Sequence, residues 1–198
     1  MPDYDYEYEY DEQYCYPGTS VLRNRLGIRD QNELNAVERD LTAIRALQLE
    51  QTPIDGRFDL NHLLKIHRFI FGDIFEWAGS IRTVNISKGI MFCRTEFLET
   101  KCNELFEELS KEQFQEMSID DFIRTLAHYL GEINALHPFR EGNGRAQRSF
   151  INQLAMKYGH YLDFSKVSEK EMIEASYYSF TCDDTEMIVL IDRIITRL

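Results

Sequence analysis

His137-Pro138-Phe139-Arg140-Glu141-Gly142-Asn143-Gly144-Arg145-Ala146-Gln147-Arg148 is the stretch on which the reading of this chain turns. Upstream of it, Phe122, Ile123, Leu126, Leu130, Ile133 and Leu136 recur at spacings of three and four. That spacing predicts a buried helix starting at Asp120 or Asp121. Pro138 stops the helix, since a proline ring clashes with the preceding turn and supplies no amide. Glycines at 142 and 144 then permit a tight loop whose backbone a ligand can approach closely. A second helix is expected from Asn143 or Gly144 to about Tyr158, closed by Gly159. Its first turn leaves amide N–H groups without intrahelical acceptors at the positive end of the helix dipole, which makes an anion site. Arg145 and Arg148, three residues apart, lie on one side of that turn. Two guanidinium forks beside such amides suit a polyphosphate better than a single carboxylate.

Glu141 shares the loop. A carboxylate beside a polyphosphate is repelled unless a cation lies between them. Mg²⁺ commonly takes one carboxylate plus phosphate oxygens, so Glu141 is the candidate metal ligand. His137 precedes the loop, and a neutral imidazole can take a proton from an attacking hydroxyl near neutral pH. A lone histidine at a helix end is ordinarily a capping or core residue. Beside an acid, two glycines and two arginines in this order, it reads as chemistry. The pattern His-x-Phe-x-acid-Gly-Asn-Gly-Arg-x-x-Arg fixes eight positions. At uniform residue usage its accidental occurrence is roughly one in ten billion per window. GxxxxGK[ST], HExxH and GxSxG are all absent from the sequence, so P-loop NTPase, zincin and α/β-hydrolase readings fail.

The rest of the chain bounds this site. Its 198 residues fit one domain, and 43% hydrophobic residues can fill a core. A net charge of −12 argues against nucleic-acid or anionic-membrane binding, so neither partner is expected. It also makes a local basic pocket necessary for any polyanionic ligand. Cys15, Cys93, Cys102 and Cys182 form no CxxC pair. With no signal peptide or membrane-length apolar run, the expected setting is the cytoplasm, with secretion through a specialised apparatus left open.

Residues 1–16 carry six acidic residues and six tyrosines in near alternation. Like charges repel and no apolar face exists, so this segment is expected to be a disordered tail, with the globular domain at 17–198. Helices are expected from Asn32 to about Gln51 with Leu34, Val37, Leu41, Ile44 and Leu47 as the buried stripe, after Asp59, and from Thr95 or Glu96. Two shorter ones are expected near 168–180 and 184–197. Residues 82–87 alternate with period two, Lys88-Gly89 can turn the chain, and residues 90–92 can return it. The expectation is an all-α, mainly helical bundle with one short β-hairpin. Its open edge could accept an extended peptide.

The motif matches the signature of the Fic (filamentation induced by cAMP) family, and the chain resembles its adenylyltransferases over roughly residues 16–198. Tyr16-Pro17-Gly18 with Leu22-Arg23-Asn24, Ile66-His67 through Phe71-Gly72-Asp73, and Trp77-Ala78-Gly79 look like the same family. The resemblance implies a Mg²⁺-dependent transfer of AMP from ATP to a Tyr, Ser or Thr hydroxyl of a target protein. It gives His137 the role of base, Glu141 that of metal ligand, and Phe139 that of loop anchor. Gly142, Asn143, Gly144, Arg145, Gln147 and Arg148 become nucleotide-binding positions, Arg148 meeting the γ-phosphate. The hairpin becomes a flap docking the target as an added strand, with Ile86, Ser87 and Lys88 as its contacts.

Many family members carry an inhibitory Ser/Thr-x-x-x-Glu followed by Gly or Asn. Here the only Glu so followed is Glu141. The resemblance therefore points to a bacterial toxin restrained by a separate small antitoxin whose glutamate reaches Arg148. Its targets by the same resemblance are type II topoisomerase subunits. Two other readings stand beside this one. One is a relative transferring UMP, phosphocholine or phosphate. The other is a non-enzymatic, nucleotide-gated interaction module.

Overall fold

The computed structural model of the chain describes residues 7–8 and 11–198. Among the described residues it has seven α-helices: α1 (Gln31–Gln51), α2 (Leu60–Phe71), α3 (Thr95–Leu109), α4 (Ile119–Leu136), α5 (Asn143–Lys157), α6 (Glu169–Thr181) and α7 (Thr185–Ile194). Helix α5 is the hub, packed on α1, α2 and α4. Ala146, Phe150, Ile151, Leu154 and Ala155 are buried along it. The sequence signals that start the helices are short polar caps. Asp30, Asp59 and Ser118 accept hydrogen bonds from the N–H groups of Glu33, His62 and Asp121. Ser168 and Glu171 close a reciprocal capping box on α6. Asp30 and Ser118 replace the expected starts at Asn32 and at Asp120 or Asp121, because they adopt the extended conformation a cap requires. Gly159, at φ 82°, ends α5 as expected.

Helix α1 departs from its apolar stripe. Leu34 and Leu49 are buried, but so are Glu38 and Thr42, while Ile44 and Leu47 are exposed. The helix is rotated to bring two polar side chains inward, and they hold Arg145 of α5. The C-terminus differs too. Helix α7 stops at Ile194, and residues 195–197 leave it as a strand paired with His160–Leu162.

The expected hairpin is present as β2 (Ile86–Lys88) and β3 (Ile90–Met91). It starts later than the period-two pattern implied because Arg82 turns into the core, 2% exposed. A further strand, β1 (Glu7–Tyr8), pairs antiparallel with β2, so the sheet order is β1-β2-β3.

Of the segment 1–16 expected as a disordered tail, residues 11–16 pack against the domain instead. Asp11 is buried and its carboxylate meets Arg140 at 3.2 Å, while Tyr14 and Cys15 join the core. An acidic segment folds here because a buried cation waits for it. Residues 1–6, 9 and 10 of that segment lie outside the described residues. No helix among the described residues is long and apolar enough to cross a membrane, and all four cysteines are unpaired thiols.

Candidate active site

The motif loop is built on a ring stack. Phe139, wholly buried, lies on the His67 imidazole with centroids 3.7 Å apart, and Phe71 stacks on that same imidazole at 4.7 Å. His67 Nδ1 accepts from the N–H of Gly79, which leaves Nε2 to donate to the carbonyl of Glu141 at 2.9 Å. One neutral histidine thus ties α2, the Trp77-Ala78-Gly79 turn and the loop together. Burial pushes its pKa down to about 3. His67 was not among the site residues the sequence suggested; its only signal was its place in the Ile66-His67 stretch.

Asn143 clasps the loop from the other side. Its Oδ1 accepts from the Phe139 N–H at 2.8 Å and its Nδ2 donates to the Phe139 carbonyl at 2.7 Å. Both ends of this amide bond the Phe139 backbone, so the side chain shapes the loop. Gly142 must be glycine: its φ is 80°, and a Cβ would lie 2.1 Å from the Phe71 ring. Gln147 is buried and donates to the Ile133 carbonyl at 3.3 Å, a helix-to-helix tie.

Arg145 also departs from expectation. Its guanidinium reaches Thr42 Oγ1 at 2.8 Å and Glu38 Oε1, and stacks over Phe71 at 4.7 Å. It points to α1, and Glu38 and Glu141 flank it, the latter at 3.7 Å. Glu38 is the missed partner, and burial raises its carboxyl pKa although Arg145 opposes that shift. Glu141 gives Oε1 to the N–H of Gly142 at 2.8 Å. Among the described residues no cluster of three or more His, Cys, Asp or Glu side chains could cage a metal. The donor set still fits Mg²⁺, because a hard cation held by one carboxylate draws its other ligands from phosphate oxygens and water.

Arg148 and His137 do converge. Both line a cavity of about 510 Å³ with Gly144, Lys88, Phe92 and Asn134. Its far wall, Phe164, Met172, Ile173, Tyr177 and Phe180, is apolar and comes from α6 and the residues before it. That wall gave no sequence signal beyond an ordinary helix. Arg148 makes no hydrogen bond or ion pair among the described residues. Burial lowers its pKa and Arg145 adds repulsion, while Glu169 opposes both. An unpaired, half-buried guanidinium in a cavity wall is an anion receptor.

His137 follows the last residue of α4 with left-handed dihedrals, φ 49° and ψ 60°. Its Nδ1 lies 3.3 Å from the Asn134 carbonyl, so that nitrogen carries the proton and Nε2 keeps its lone pair. The ring stacks on Phe92 with centroids 3.8 Å apart. Burial, then the charges of Arg82 and Lys88, drive its pKa to about 3.

The flap residues divide. Ile86 is buried, and β2 is the central strand: Ser87 pairs with Glu7 and Met91, and Ile86 pairs with Tyr8 while its carbonyl accepts from the Phe92 N–H at 3.2 Å. With β1 in place, β2 is enclosed and the outer edges of the sheet belong to β1 and β3. Lys88 lines the cavity.

Comparison with known proteins agrees with this geometry. Residues 57–155 match the Fic/DOC family. The chain is 41% identical over 189 residues to the protein adenylyltransferase VbhT of Bartonella schoenbuchensis, covering 94% of this chain and 40% of that protein. It is also 41% identical to the probable protein adenylyltransferase y4lH of Sinorhizobium fredii, covering 93% of this chain and 96% of that one. The crystal structure of the BepC protein of Bartonella tribocorum with bound AMPPNP superposes with a TM-score of 0.87 at 27% identity, covering 95% of this chain and 98% of that one.

Proposed function

The chain belongs to the Fic/DOC family, and from that premise we propose that it is a protein adenylyltransferase moving AMP from ATP to a hydroxyl of another protein. The observation that carries the reading is the cavity itself. A lone-pair imidazole nitrogen and an unpaired guanidinium face one space, with the Gly144 backbone between them. The γ-phosphate goes to Arg148, and the α-phosphate to the amides that open α5 near His137. The nucleoside meets the apolar wall of α6. The description of VbhT as a protein adenylyltransferase and the AMPPNP bound in the BepC crystal support an adenine nucleotide as the substrate.

In the transfer, His137 Nε2 accepts the proton of the target hydroxyl as its oxygen forms a bond to the α-phosphorus. The bond from that phosphorus to the bridging oxygen breaks, and pyrophosphate leaves. Glu141 would hold Mg²⁺, which would supply charge neutralisation for the pyrophosphate leaving group. A base with a pKa near 3 is weak. The triphosphate brings negative charge beside the imidazolium and so strengthens the base when substrate arrives. Arg148 is also where a separate antitoxin's carboxylate would pair bidentately and take the place of the γ-phosphate.

The test is incubation of the chain with Mg²⁺, bacterial lysate and ATP labelled on the α-phosphate, with His137→Ala as control. Protein-bound label that depends on His137 is expected. Equal labelling by the control, or transfer from γ-labelled ATP instead, overturns the proposal.

A further inference from the structure

We infer that Arg82 is a positioning residue for the transfer step, locking the flap and His137 into one unit through a single buried guanidinium. The inference rests on the adenylyltransferase reading for its kinetic consequences, though its geometry stands alone. Arg82 lies outside the motif, at the entrance to the hairpin. Its Nε donates to the His137 carbonyl at 2.8 Å, its Nη1 to the Val84 carbonyl at 2.7 Å, and its Nη2 to the carbonyls of Cys93 and, at 3.3 Å, Leu136. Its own N–H donates to the Pro138 carbonyl at 2.9 Å. Val84 precedes the flap and Cys93 follows it, while Leu136 and His137 end α4. One side chain therefore gathers both feet of the flap onto the helix end that carries the imidazole.

The chemistry explains why this must be arginine. A buried cation without a counter-ion is costly unless its donors are satisfied. Among the described residues no carboxylate pairs with Arg82, and its partners are carbonyls from three segments. The last carbonyls of a helix have no intrahelical donor and sit at its negative end, so a cation satisfies them twice over. The left-handed residue after the helix is usually glycine; here it is a histidine. The Arg82 clamp on the His137 carbonyl helps hold that conformation. The Cys93 N–H, bonded to the Ala135 carbonyl at 3.2 Å, reinforces the link. Phe92, one residue before Cys93, is the wall against which the imidazole stacks. Loosening Arg82 thus releases both the ring and the surface it leans on. Arg82 is not among the residues lining the cavity, so the phosphate-binding turn and Arg148 are left in place.

Arg82→Lys keeps the charge but replaces a five-donor fork by a point donor that cannot serve three segments. Its expected signature is kcat lowered about 10- to 100-fold, a raised KM for the target, and a Kd for ATP within about twofold of wild type. Phe92→Leu, which leaves the clamp intact, is expected to give the same split, and the double variant to be no worse than the more impaired single one. A second readout needs no activity. In ¹⁵N spectra of the nucleotide-free protein, the His137 ring of the wild type is expected as one tautomer protonated at Nδ1, and that of Arg82→Lys as a mixture. Should Arg82→Lys fail to fold, Arg82→Gln, which keeps side-chain N–H donors without burying a charge, is read by the same kinetics and ring spectrum. Unchanged His137 signals, or losses of ATP binding and kcat in proportion to the folded fraction, overturn the inference. A wild type that transfers no label while the ring signals shift as expected overturns the functional reading and leaves the clamp standing.

Discussion

At the residue scale, the two groups that matter most are His137 and Arg148. Both were legible in the sequence, because spacing alone set them on either side of a glycine loop. Arg145, Asn143 and Gln147 carry the same pattern and also bond protein groups. A linear motif cannot show that Glu38 and Thr42, over a hundred residues upstream, meet Arg145. Nor can it show that the amide of Asn143 bonds the Phe139 backbone. Arg148→Ala is therefore expected to weaken ATP about 10- to 100-fold while barely changing AMP, a contrast that calorimetric titration checks. Arg145→Ala should act mainly on stability. Comparable losses of affinity for ATP and AMP in Arg148→Ala would contradict this assignment. For His137, the low pKa keeps the ring neutral well below pH 6, and bound triphosphate should raise it. Titrating the ring by NMR with and without a non-hydrolysable ATP analogue should show an upward shift; no shift, or a downward one, would refute the placement of the phosphates.

At the element scale, helix identities followed from apolar periodicity, and most boundaries from polar caps. Helix α1 misled because its buried face carries Glu38 and Thr42, whose contacts with Arg145 override the hydrophobic stripe. The hairpin was legible from its alternation, but its partner strand β1 was not, since an acidic, tyrosine-rich segment has no pattern that announces pairing. The turn into α5 makes a sharp prediction. Gly142→Ala forces a Cβ to within 2.1 Å of Phe71 at a φ of 80°. It should destabilise the protein by more than about 2 kcal/mol and abolish ATP binding, as measured by denaturant unfolding and titration. Gly144→Ala meets only the flexible end of Arg148 at 3.1 Å and should be far milder in stability. Equal costs would show that the loop has room that its geometry denies.

At the scale of the whole molecule, the net charge of −12 forced the search for a local basic pocket, and the motif met it. The same charge hid the N-terminal anchor. Asp11 and Arg140 are each 2% exposed in their side chains, and that pair binds the start of the chain to the catalytic loop. Asp11→Ala removes the buried carboxylate that Arg140 Nε meets at 3.2 Å and should destabilise the protein, read as a fall in Tm. The buried histidines set the acid limit. His67 and His137 fall from 6.5 to about 3 on folding, so below pH 6.5 the unfolded chain binds protons that the folded one refuses. Stability is complete above that window and is lost as pH falls through it. Each histidine should contribute a loss of about 2 kcal/mol between neutral pH and pH 5. Unfolding curves at those two values measure the sum, and His67→Gln should lessen the pH slope.

The most direct measurement is a crystal structure with Mg²⁺ and a non-hydrolysable ATP analogue. The account predicts the terminal phosphoryl group against Arg148, the α-phosphorus beside His137 Nε2, and the base on the apolar wall of α6. A nucleotide bound outside this cavity, or lying reversed with its nucleoside at Arg148, would contradict it.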